Sequence, residues 1–360
     1  MQQYLLASTA ALAVIAGCKS EPAQAPAPTA QAPAVQDKTV QIDKARLAMF
    51  GQLPEAFLPT GATLSDDHVQ LGRMLYYDTR LSKNHDLSCN SCHDLQAYGV
   101  DGEKFSKGHK GQLGDRNSPT VYNAAGRHLQ FWDGRAADVE EQATGPILNP
   151  VEMAMPDEAR VVATLESIPA YVEMFKKSFP GEAQPITLKN VGVVIGAFER
   201  KLVTPSRWDE FLAGKEDSLT DQEKAGFNAF VDAGCVTCHT GPLVGGVMFQ
   251  KLGLVKPWPN DKDQGRFDVT KNENDRMVFS VPTLRNVEKT APYFHDASAT
   301  TLDEAVTMMA RHQFGKELTR EETASIVAWL KTLTGTIPAE YIVKPELPAS
   351  TDKTPKPEPS

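Results

Sequence analysis

The sequence predicts a mainly α-helical fold of two related halves with long irregular loops. Three observations support this prediction. The pentapeptide Cys89-Asn90-Ser91-Cys92-His93 has a second copy, Cys235-Val236-Thr237-Cys238-His239, more than a hundred positions later. A further pair of matching segments follows the two copies, and helix-capping patterns recur in both halves. At 360 residues the chain is long enough for two domains.

Each pentapeptide has the attachment pattern of a c-type haem. The two thiols form thioethers with the vinyl groups, and the histidine that follows binds one face of the iron. A zinc ribbon also uses paired Cys-x-x-Cys motifs, but these usually lie about 15 to 20 residues apart and lack the trailing histidine. The sequence therefore predicts two cytochrome c-like haem domains. Their attachment residues are Cys89, Cys92, His93, Cys235, Cys238 and His239.

Net charge and cysteine usage limit the kinds of partner and the cellular compartment that the sequence allows. The formal net charge of −9 and the absence of a basic stripe argue against nucleic acid. Four of the five cysteines lie in the haem motifs and the fifth is Cys18, so no pair remains for a structural disulfide. The periplasm is instead predicted by the haems, which bacteria attach outside the cytoplasmic membrane.

Residues 1–18 are predicted to be a signal peptide. The apolar run over 4–18 is too short for a transmembrane helix. Its ending, Ile15-Ala16-Gly17-Cys18, resembles a lipobox and predicts a lipid anchor on Cys18. A cleaved signal without lipid is the alternative, because Met1-Gln2-Gln3 carries no positive side chain. Residues 19–37 are rich in Pro, Ala and Gln and predict a disordered tether.

The globular part then follows in order. The N-terminal haem domain is predicted over 38–202, the C-terminal haem domain over 203–343, and a disordered tail over 344–360. The last helix of the second domain could pack back on the first. Helical patterns and caps occur over 65–78, 140–144, 158–166, 186–200, 220–231, 302–314 and 319–335.

An internal repeat links the two halves. Pro119-Thr120-Val121-Tyr122-Asn123 precedes Phe131-Trp132-Asp133-Gly134, and Pro282-Thr283-Leu284-Arg285-Asn286 precedes Phe294-His295-Asp296-Ala297. Thirteen positions separate the threonine from the aspartate in both copies. The simplest interpretation is a duplicated haem domain in which Trp132 and His295 are equivalent.

The sixth position of each iron decides its chemistry, because a thioether raises the reduction potential and an open face permits catalysis. For the second haem the methionine candidates are Met248, Met277, Met308 and Met309, of which the last two lie on a predicted helix. For the first haem the remaining histidines are His68, His85, His109, His128, His295 and His312. His109 stands out because it lies in the glycine-rich stretch 98–114.

A haem that cleaves peroxide also needs a group that moves a proton between the two oxygens. Gln142 and Glu152 flank the turn-rich apolar segment 145–150, where a buried carboxylate would be unusual. A solvated glutamate is the alternative interpretation.

Taken together, these motifs resemble the bacterial dihaem cytochrome c peroxidase family over roughly residues 47–335. Besides the first haem motif, the segments that carry the resemblance are Arg116-Asn117-Ser118-Pro119-Thr120, Gln130-Phe131-Trp132-Asp133-Gly134-Arg135, Gly145-Pro146-Ile147-Leu148-Asn149-Pro150-Val151-Glu152-Met153, Ala291-Pro292-Tyr293-Phe294-His295-Asp296 and Met309-Ala310-Arg311-His312-Gln313-Phe314-Gly315.

The resemblance implies a role for each site residue. The first haem would be the peroxidatic centre, with His93 proximal and His109 a removable distal ligand. The second would be the electron-entry centre, held by His239 and Met309. The resemblance also assigns Glu152 as the catalytic carboxylate, Gln142 as its polar partner, Trp132 as the tryptophan between the haems, and Asn117 with the carbonyls of Thr290 and Pro292 as a Ca²⁺ site.

The implied activity is reduction of hydrogen peroxide to water by a homodimer, with electrons from a small cytochrome c or copper protein. Arrival of an electron at the second haem would trigger withdrawal of the loop that bears His109. A dihaem electron-transfer cytochrome would need neither the movable His109 nor Glu152. Related dihaem enzymes that oxidise a partner protein typically have tyrosine in place of Met309. A sensor would need an output segment, and none is recognisable.

Overall fold

The computed structural model describes residues 40–59 and 63–358. The signal peptide, the lipidated Cys18 and the tether predicted over residues 1–37 lie outside the described residues. Within the described ranges, no helix combines the length and the apolar character needed to cross a bilayer.

Helices dominate the described residues, which confirms the prediction of a mainly α-helical fold. They are α1 (Lys44–Leu47), α2 (Asp66–Tyr76), α3 (Cys89–Cys92), α4 (Val139–Leu148), α5 (Glu158–Glu166), α6 (Pro169–Ser178), α7 (Leu188–Glu199), α8 (Arg207–Leu212), α9 (Asp221–Ala233), α10 (Phe267–Thr270), α11 (Leu302–Phe314) and α12 (Arg320–Lys331). Two short antiparallel strands, β1 (Phe249–Lys251) and β2 (Val278–Ser280), pair with Phe249 opposite Ser280.

Local sequence signals set several of these boundaries. The predicted capping boxes that open α9 and α12 are present, with Thr220 accepting from the backbone N–H of Glu223 and Thr319 accepting from that of Glu322. Helix α6 has no counterpart among the predicted elements. Pro169 opens it in the first turn, where a missing backbone N–H costs nothing.

The first hydrophobic core forms where α2 crosses α7, with α4 packed on the other side of α7. Gly72 makes this crossing close, because a Cβ atom at this position would lie 1.7 Å from the carbonyl oxygen of Val194. Leu71, Leu75 and Phe198 are fully buried at the centre of the core. Helix α2 is thereby fixed just upstream of the first haem motif.

The second core repeats this arrangement with α9 and α12. A Cβ atom on Gly226 of α9 would lie 1.8 Å from the carbonyl oxygen of Ser325 on α12. Trp208, Phe227 and Trp329 are fully buried between these helices, and their rings pack with centroids 5.1 to 5.4 Å apart. As in the first core, a helix-on-helix contact at glycine precedes the haem motif.

Each end of the described chain packs against the core formed by the other half of the sequence. Near the amino end, Phe50 packs against the second core, with its ring centroid 5.7 Å from that of Trp208 and 5.4 Å from that of Phe227. Near the carboxyl end, Tyr341 stacks on Phe198 of the first core at 5.1 Å. Each core is therefore completed by a segment from the far end of the sequence.

The disordered tail predicted from residue 344 onward is corrected over residues 344–358. Arg80 Nη1 donates to the Pro348 carbonyl at 2.8 Å, Ser167 Oγ donates to Thr354 Oγ1 at 2.8 Å, and the Glu358 N–H donates to the Lys83 carbonyl at 3.0 Å. The composition is polar, yet proline-rich backbone keeps its carbonyl acceptors. Arg80 uses one of these acceptors, and the bonds at Thr354 and Glu358 hold the rest of the segment in place.

The two cores meet at Thr204, which is fully buried. Its Oγ1 accepts hydrogen bonds from the side-chain amides of Asn123 and Asn286, both at 2.9 Å. These asparagines hold matching positions in the sequence repeat. The oxygen of the Asn123 amide accepts from the Thr204 N–H, and that of Asn286 accepts from the Gly335 N–H at 2.9 Å. A single hydroxyl therefore satisfies one donor from each half.

We expect Thr204→Val to lower the free energy of unfolding by about 2–6 kcal/mol, because two buried amide donors lose their acceptor at about 1–3 kcal/mol each. Thr204→Ser keeps the hydroxyl and serves as the matched control. Urea unfolding of the holo-protein followed by circular dichroism measures the difference. A valine variant within about 0.5 kcal/mol of the serine variant would show that this junction contributes little.

Candidate active site

Two cavities begin at the two Cys-x-x-Cys-His motifs. The first has a volume of about 1070 Å³ and is lined by Cys89, Cys92 and His93. The second has a volume of about 210 Å³ and is lined by Cys235, Cys238 and His239. These three are the attachment residues of the second cavity. None of these four cysteines forms a disulfide. In each motif both thiols and the imidazole therefore face one shared space.

The hydrogen bonds of the two histidines select the tautomer that can bind iron. His93 Nδ1 lies 3.3 Å from the carbonyl oxygen of Gly99, and His239 Nδ1 lies 3.2 Å from that of Val244. Since a carbonyl only accepts, Nδ1 must carry the proton, and Nε2 keeps its lone pair. Burial lowers the pKa of His93 and lowers that of His239 to about 4, so both rings stay neutral near pH 7.

The residues present fit a covalent haem at both motifs. Each offers two free thiols for thioether bonds and one neutral imidazole with a free Nε2, all lining one cavity. No group of three or more His, Cys, Asp or Glu side chains in the described ranges is arranged to hold a metal ion by itself. This donor set suits an iron carried by a porphyrin.

The three predicted catalytic residues Trp132, Gln142 and Glu152 all line the first cavity, together with His93. Asn149, which ends α4, donates from Nδ2 to Glu152 Oε1 at 3.0 Å. Burial raises the pKa of Glu152, an effect partly opposed by the positive charge of Arg135 and by the bond from Asn149. Burial therefore stabilises the protonated form of this carboxyl relative to that of a solvated glutamate.

His109 is placed differently from these residues. It is buried, but in the described part of the chain its neighbour Gly108, and not His109, lines the first cavity. The His109 N–H donates to the carbonyls of Val151 at 3.0 Å and Glu152 at 2.7 Å. A Cβ atom on Gly108 would meet the Val151 carbonyl oxygen at 2.0 Å. The loop backbone is thus bound directly to the segment that carries Glu152.

The second cavity separates the methionine candidates. Met309 lines it together with the attachment residues, whereas Met308 packs against the second hydrophobic core. Met248 and Met277 are not among the described residues that line it. Helical periodicity alone leaves Met308 and Met309 open, because neighbouring positions on α11 differ only in the direction of their side chains.

The residues expected at a calcium site are also brought to one place. Asn117, Thr290 and Pro292 all line the second cavity. The Asn117 Nδ2 donates to the Glu103 carbonyl at 2.9 Å, which leaves its amide oxygen available as a ligand. Its backbone carbonyl accepts from Trp132 Nε1 at 2.9 Å. The candidate ligand atoms are neutral oxygens.

A shared wall separates the two cavities. It consists of the residues that line both: Asn117, Ser118, Pro119, Thr120, Arg127, Trp132 and His295. The rings of Trp132 and His295, which match in the sequence repeat, lie edge to face with centroids 6.3 Å apart. His295 also stacks on Phe279 at 4.1 Å. Aromatic side chains therefore lead from one cavity to the other.

Two charged residues of these cavities have no signal in the sequence motifs. Arg127 belongs to the shared wall, and Glu199 lines the first cavity. Burial, reinforced by the nearby carboxylate of Glu140 and opposed by Arg200, raises the pKa of Glu199 to about 8. The one sequence feature that could indicate Glu199 is its position as a glutamate on the otherwise apolar buried face of α7.

Comparisons with known proteins agree with this architecture. A family model described as di-haem cytochrome c peroxidase matches residues 66–217. The chain is 48% identical over 297 residues to the cytochrome c551 peroxidase of Nitrosomonas europaea, covering 81% of this chain and 87% of that protein. It is 44% identical over 338 residues to the cytochrome c551 peroxidase of Pseudomonas aeruginosa, covering 92% and 94%.

A solved structure supports the same assignment. The crystal structure of a MauG-like protein associated with microbial copper homeostasis matches with a TM-score of 0.70 and 29% identity, covering 81% of this chain and 97% of that one. The extent of the two sequence matches, each well above two thirds of this chain, establishes the relationship. The chain belongs to the di-haem cytochrome c peroxidase family.

Proposed function

We propose that this protein reduces hydrogen peroxide to water in the periplasm, with electrons from a small donor protein, either a cytochrome c or a copper protein. The balanced reaction consumes one peroxide, two protons and two electrons and gives two waters. The observation that carries the proposal is the position of Glu152. Its partly desolvated carboxyl lines the same cavity as the proximal His93, where an electron-transfer cytochrome would need no acid.

Two haem c groups serve this reaction, one bound through Cys89, Cys92 and His93 and one through the attachment residues of the second cavity. When bound, they supply one iron with an accessible face for peroxide and one iron that stores an electron. Met309 is proposed to hold the second haem together with His239, and a thioether ligand there would raise the reduction potential of that centre. Its place in the lining of the second cavity supports this role.

Glu152 is the proposed proton carrier. Its carboxylate takes the proton from one oxygen of peroxide and returns it to the other, while Asn149 holds Oε1 at 3.0 Å. Gln142 lines the same cavity and supplies a neutral polar group beside the substrate. The desolvation that raises the pKa of Glu152 makes its carboxylate a stronger base and so favours uptake of the proton.

His109 is the proposed gate. We infer that its imidazole would close the first site when haem is bound there, and that withdrawal of its loop, triggered by reduction of the second haem, would open the site. The loop has positive φ at Lys110 and Gly111, 58° and 72°, and this conformation is uncommon for a lysine, so a moved loop could relax it. The bonds from the His109 N–H to the carbonyls of Val151 and Glu152 support a coupling between gate and acid. Trp132 is the proposed electron relay between the centres.

Several broader features remain part of this proposal. Haem domains over 38–202 and 203–343, related by duplication, are supported by two cores that divide between Leu202 and Trp208 except at the chain ends, where Phe50 packs on the second core and Ile342 belongs to the first. The paired amides on Thr204 support the same relation. A signal peptide over 1–18, a lipid anchor on Cys18 and a homodimer rest on the sequence and the family resemblance. The same holds for the tether over 19–37.

A calcium ion is proposed at Asn117 with the carbonyls of Thr290 and Pro292. Oxygen ligands suit Ca²⁺, and three protein oxygens leave room for water in a shell of six to eight. Because none of these ligands is a carboxylate, we expect modest affinity. The ion would join the shared wall at Asn117 to the segment 290–292, which precedes His295.

Glu152→Gln should lower peroxide turnover by about 10²–10⁴-fold, because the amide keeps the shape but carries no transferable proton. Steady-state oxidation of a reduced donor cytochrome measures it, with haem content and reduction potentials checked for equality. Glu166→Gln removes a charge from an exposed position on α5 and is the matched control. Turnover within threefold of the unchanged protein would refute the assignment of Glu152.

Met309→His should lower the midpoint potential of the second haem, because a second imidazole stabilises ferric iron more than a thioether does. The sulfur-to-iron charge-transfer absorption should disappear with it. Met308→Leu, which alters only core packing, should leave both the potential and the absorption unchanged. Loss of the charge-transfer absorption in the Met308 variant instead would identify Met308 as the ligand and refute the assignment of Met309.

Asn117→Ala should weaken calcium binding by at least about tenfold, since one of three protein oxygens is lost. Calorimetric titration of chelator-treated holo-protein with Ca²⁺ measures the affinity, and Mg²⁺ serves as the comparison ion. We expect calcium removal to slow activation without releasing haem. Equal calcium affinity in the two proteins, or no binding in either, would exclude this site.

A further inference from the structure

Arg127 is a buried cation at the boundary between the two cavities. Only 8% of the residue is exposed, and it lines both cavities as part of the shared wall. Gly246 leaves room for its aliphatic stem, because a Cβ atom on Gly246 would lie 3.3 Å from Arg127 Cγ. The guanidinium is therefore built into the interior and is not a surface group that happens to fold inward.

The protein gives this guanidinium only weak neutral partners. Nη2 donates to the Phe131 carbonyl at 3.4 Å and to Ser280 Oγ at 3.3 Å. Nε is buried without any hydrogen-bond partner. No carboxylate in the described ranges lies within ion-pair distance, and burial is the sole cause of its lowered pKa, about 10.

The other buried arginines are treated differently. Arg285 forms a two-pronged ion pair with Asp209, and Arg200 forms one with Glu140 at 2.6 and 2.8 Å. Both obey the rule that a buried charge is paired. Arg127 breaks this rule within the described part of the chain. Even with its lowered pKa it remains protonated at neutral pH, so it cannot escape the cost by losing its proton.

Nearby acids of the first cavity are already engaged. Asp133 accepts from Arg116 and Arg135, and Asp263 accepts from Arg116. Asp296 accepts from the indole N–H of Trp258 at 3.2 Å. Since no carboxylate of the described ranges pairs with Arg127, we infer that the offsetting anion comes from what the cavities bind. Each haem brings two propionate carboxylates, which are the anions that these cavities are expected to receive.

We propose that Arg127 binds a haem propionate at the boundary between the two sites and thereby sets the reduction potential of that haem. Arginine suits the task, because its planar fork can donate to both carboxylate oxygens. Its free Nε and its weakly bonded Nη2 are the available donors. The inference needs the two haems but does not depend on the peroxidase reaction.

The direction of the effect follows from charge. A cation that neutralises a propionate favours the addition of an electron to the nearby iron. Removing the cation leaves the carboxylate uncompensated in a poorly solvated place and disfavours reduction. Arg127 is thus a positioning residue that acts through the porphyrin periphery, and it need not touch peroxide.

The test is a spectroelectrochemical titration of both haems in the full-length holo-protein and in its Arg127→Met and Arg127→Lys variants. In Arg127→Met the reduction equilibrium of at least one haem should fall about tenfold or more, which is about 59 mV for one electron. Arg127→Lys keeps the charge, so in this variant the reduction equilibrium of the same haem should fall by less than about threefold. Ser280→Ala removes a neutral partner of Arg127 and should change neither potential.

Unchanged potentials at both haems of a fully loaded Arg127→Met protein would overturn the proposal. If that variant does not fold, resonance Raman spectra of the propionate bending modes in wild type and Arg127→Lys decide instead. Replacing a guanidinium fork by an ammonium should shift a mode, and identical spectra would overturn the proposal. Peroxide turnover, measured separately, tests the proposed peroxidase activity. The role of Arg127 and the peroxidase activity can therefore fail independently of each other.

Discussion

The relation between the two halves depends on one buried hydroxyl. Thr204 Oγ1 has two lone pairs and accepts one amide from each half, through Asn123 and Asn286. Each asparagine follows a Pro-Thr pair that lines the second cavity, so the hydroxyl fixes the spacing of those walls. Gly335 lies opposite, where a Cβ atom would meet the Thr204 carbonyl oxygen at 2.0 Å. Space for one side chain exists at this junction, and threonine occupies it.

Desolvation links the chemical groups of the two sites. It keeps His93 and His239 neutral and therefore able to bind iron, and it raises the pKa of Glu152 towards the range useful for proton transfer. The same desolvation makes Arg127 costly unless an anion accompanies it. Burial in the two cavities therefore acts on the proposed iron ligands, on the proposed acid and on Arg127 through one physical cause.

The sequence indicated what short-range patterns can encode. The haem motifs and the capping boxes at Thr220 and Thr319 depend on spacings of three or four residues, and these elements formed as expected. The choice between Met308 and Met309 depends on where α11 faces, which only packing decides. Arg127 carries no motif, because its significance lies in a missing partner. The fixed segment over 344–358 depends on backbone acceptors that composition does not reveal.

The exchange of chain ends between the cores bears on how the molecule is made. Phe50 near the amino end packs against Trp208 and Trp329 of the second core. The first core in turn includes contacts from Tyr341 and Ile342 near the carboxyl end. Both cores therefore include contacts between residues far apart in the sequence, and contacts of such sequence separation slow folding. Since the amino end leaves the ribosome first, we expect both haem motifs to be synthesised before the last of these contacts can form.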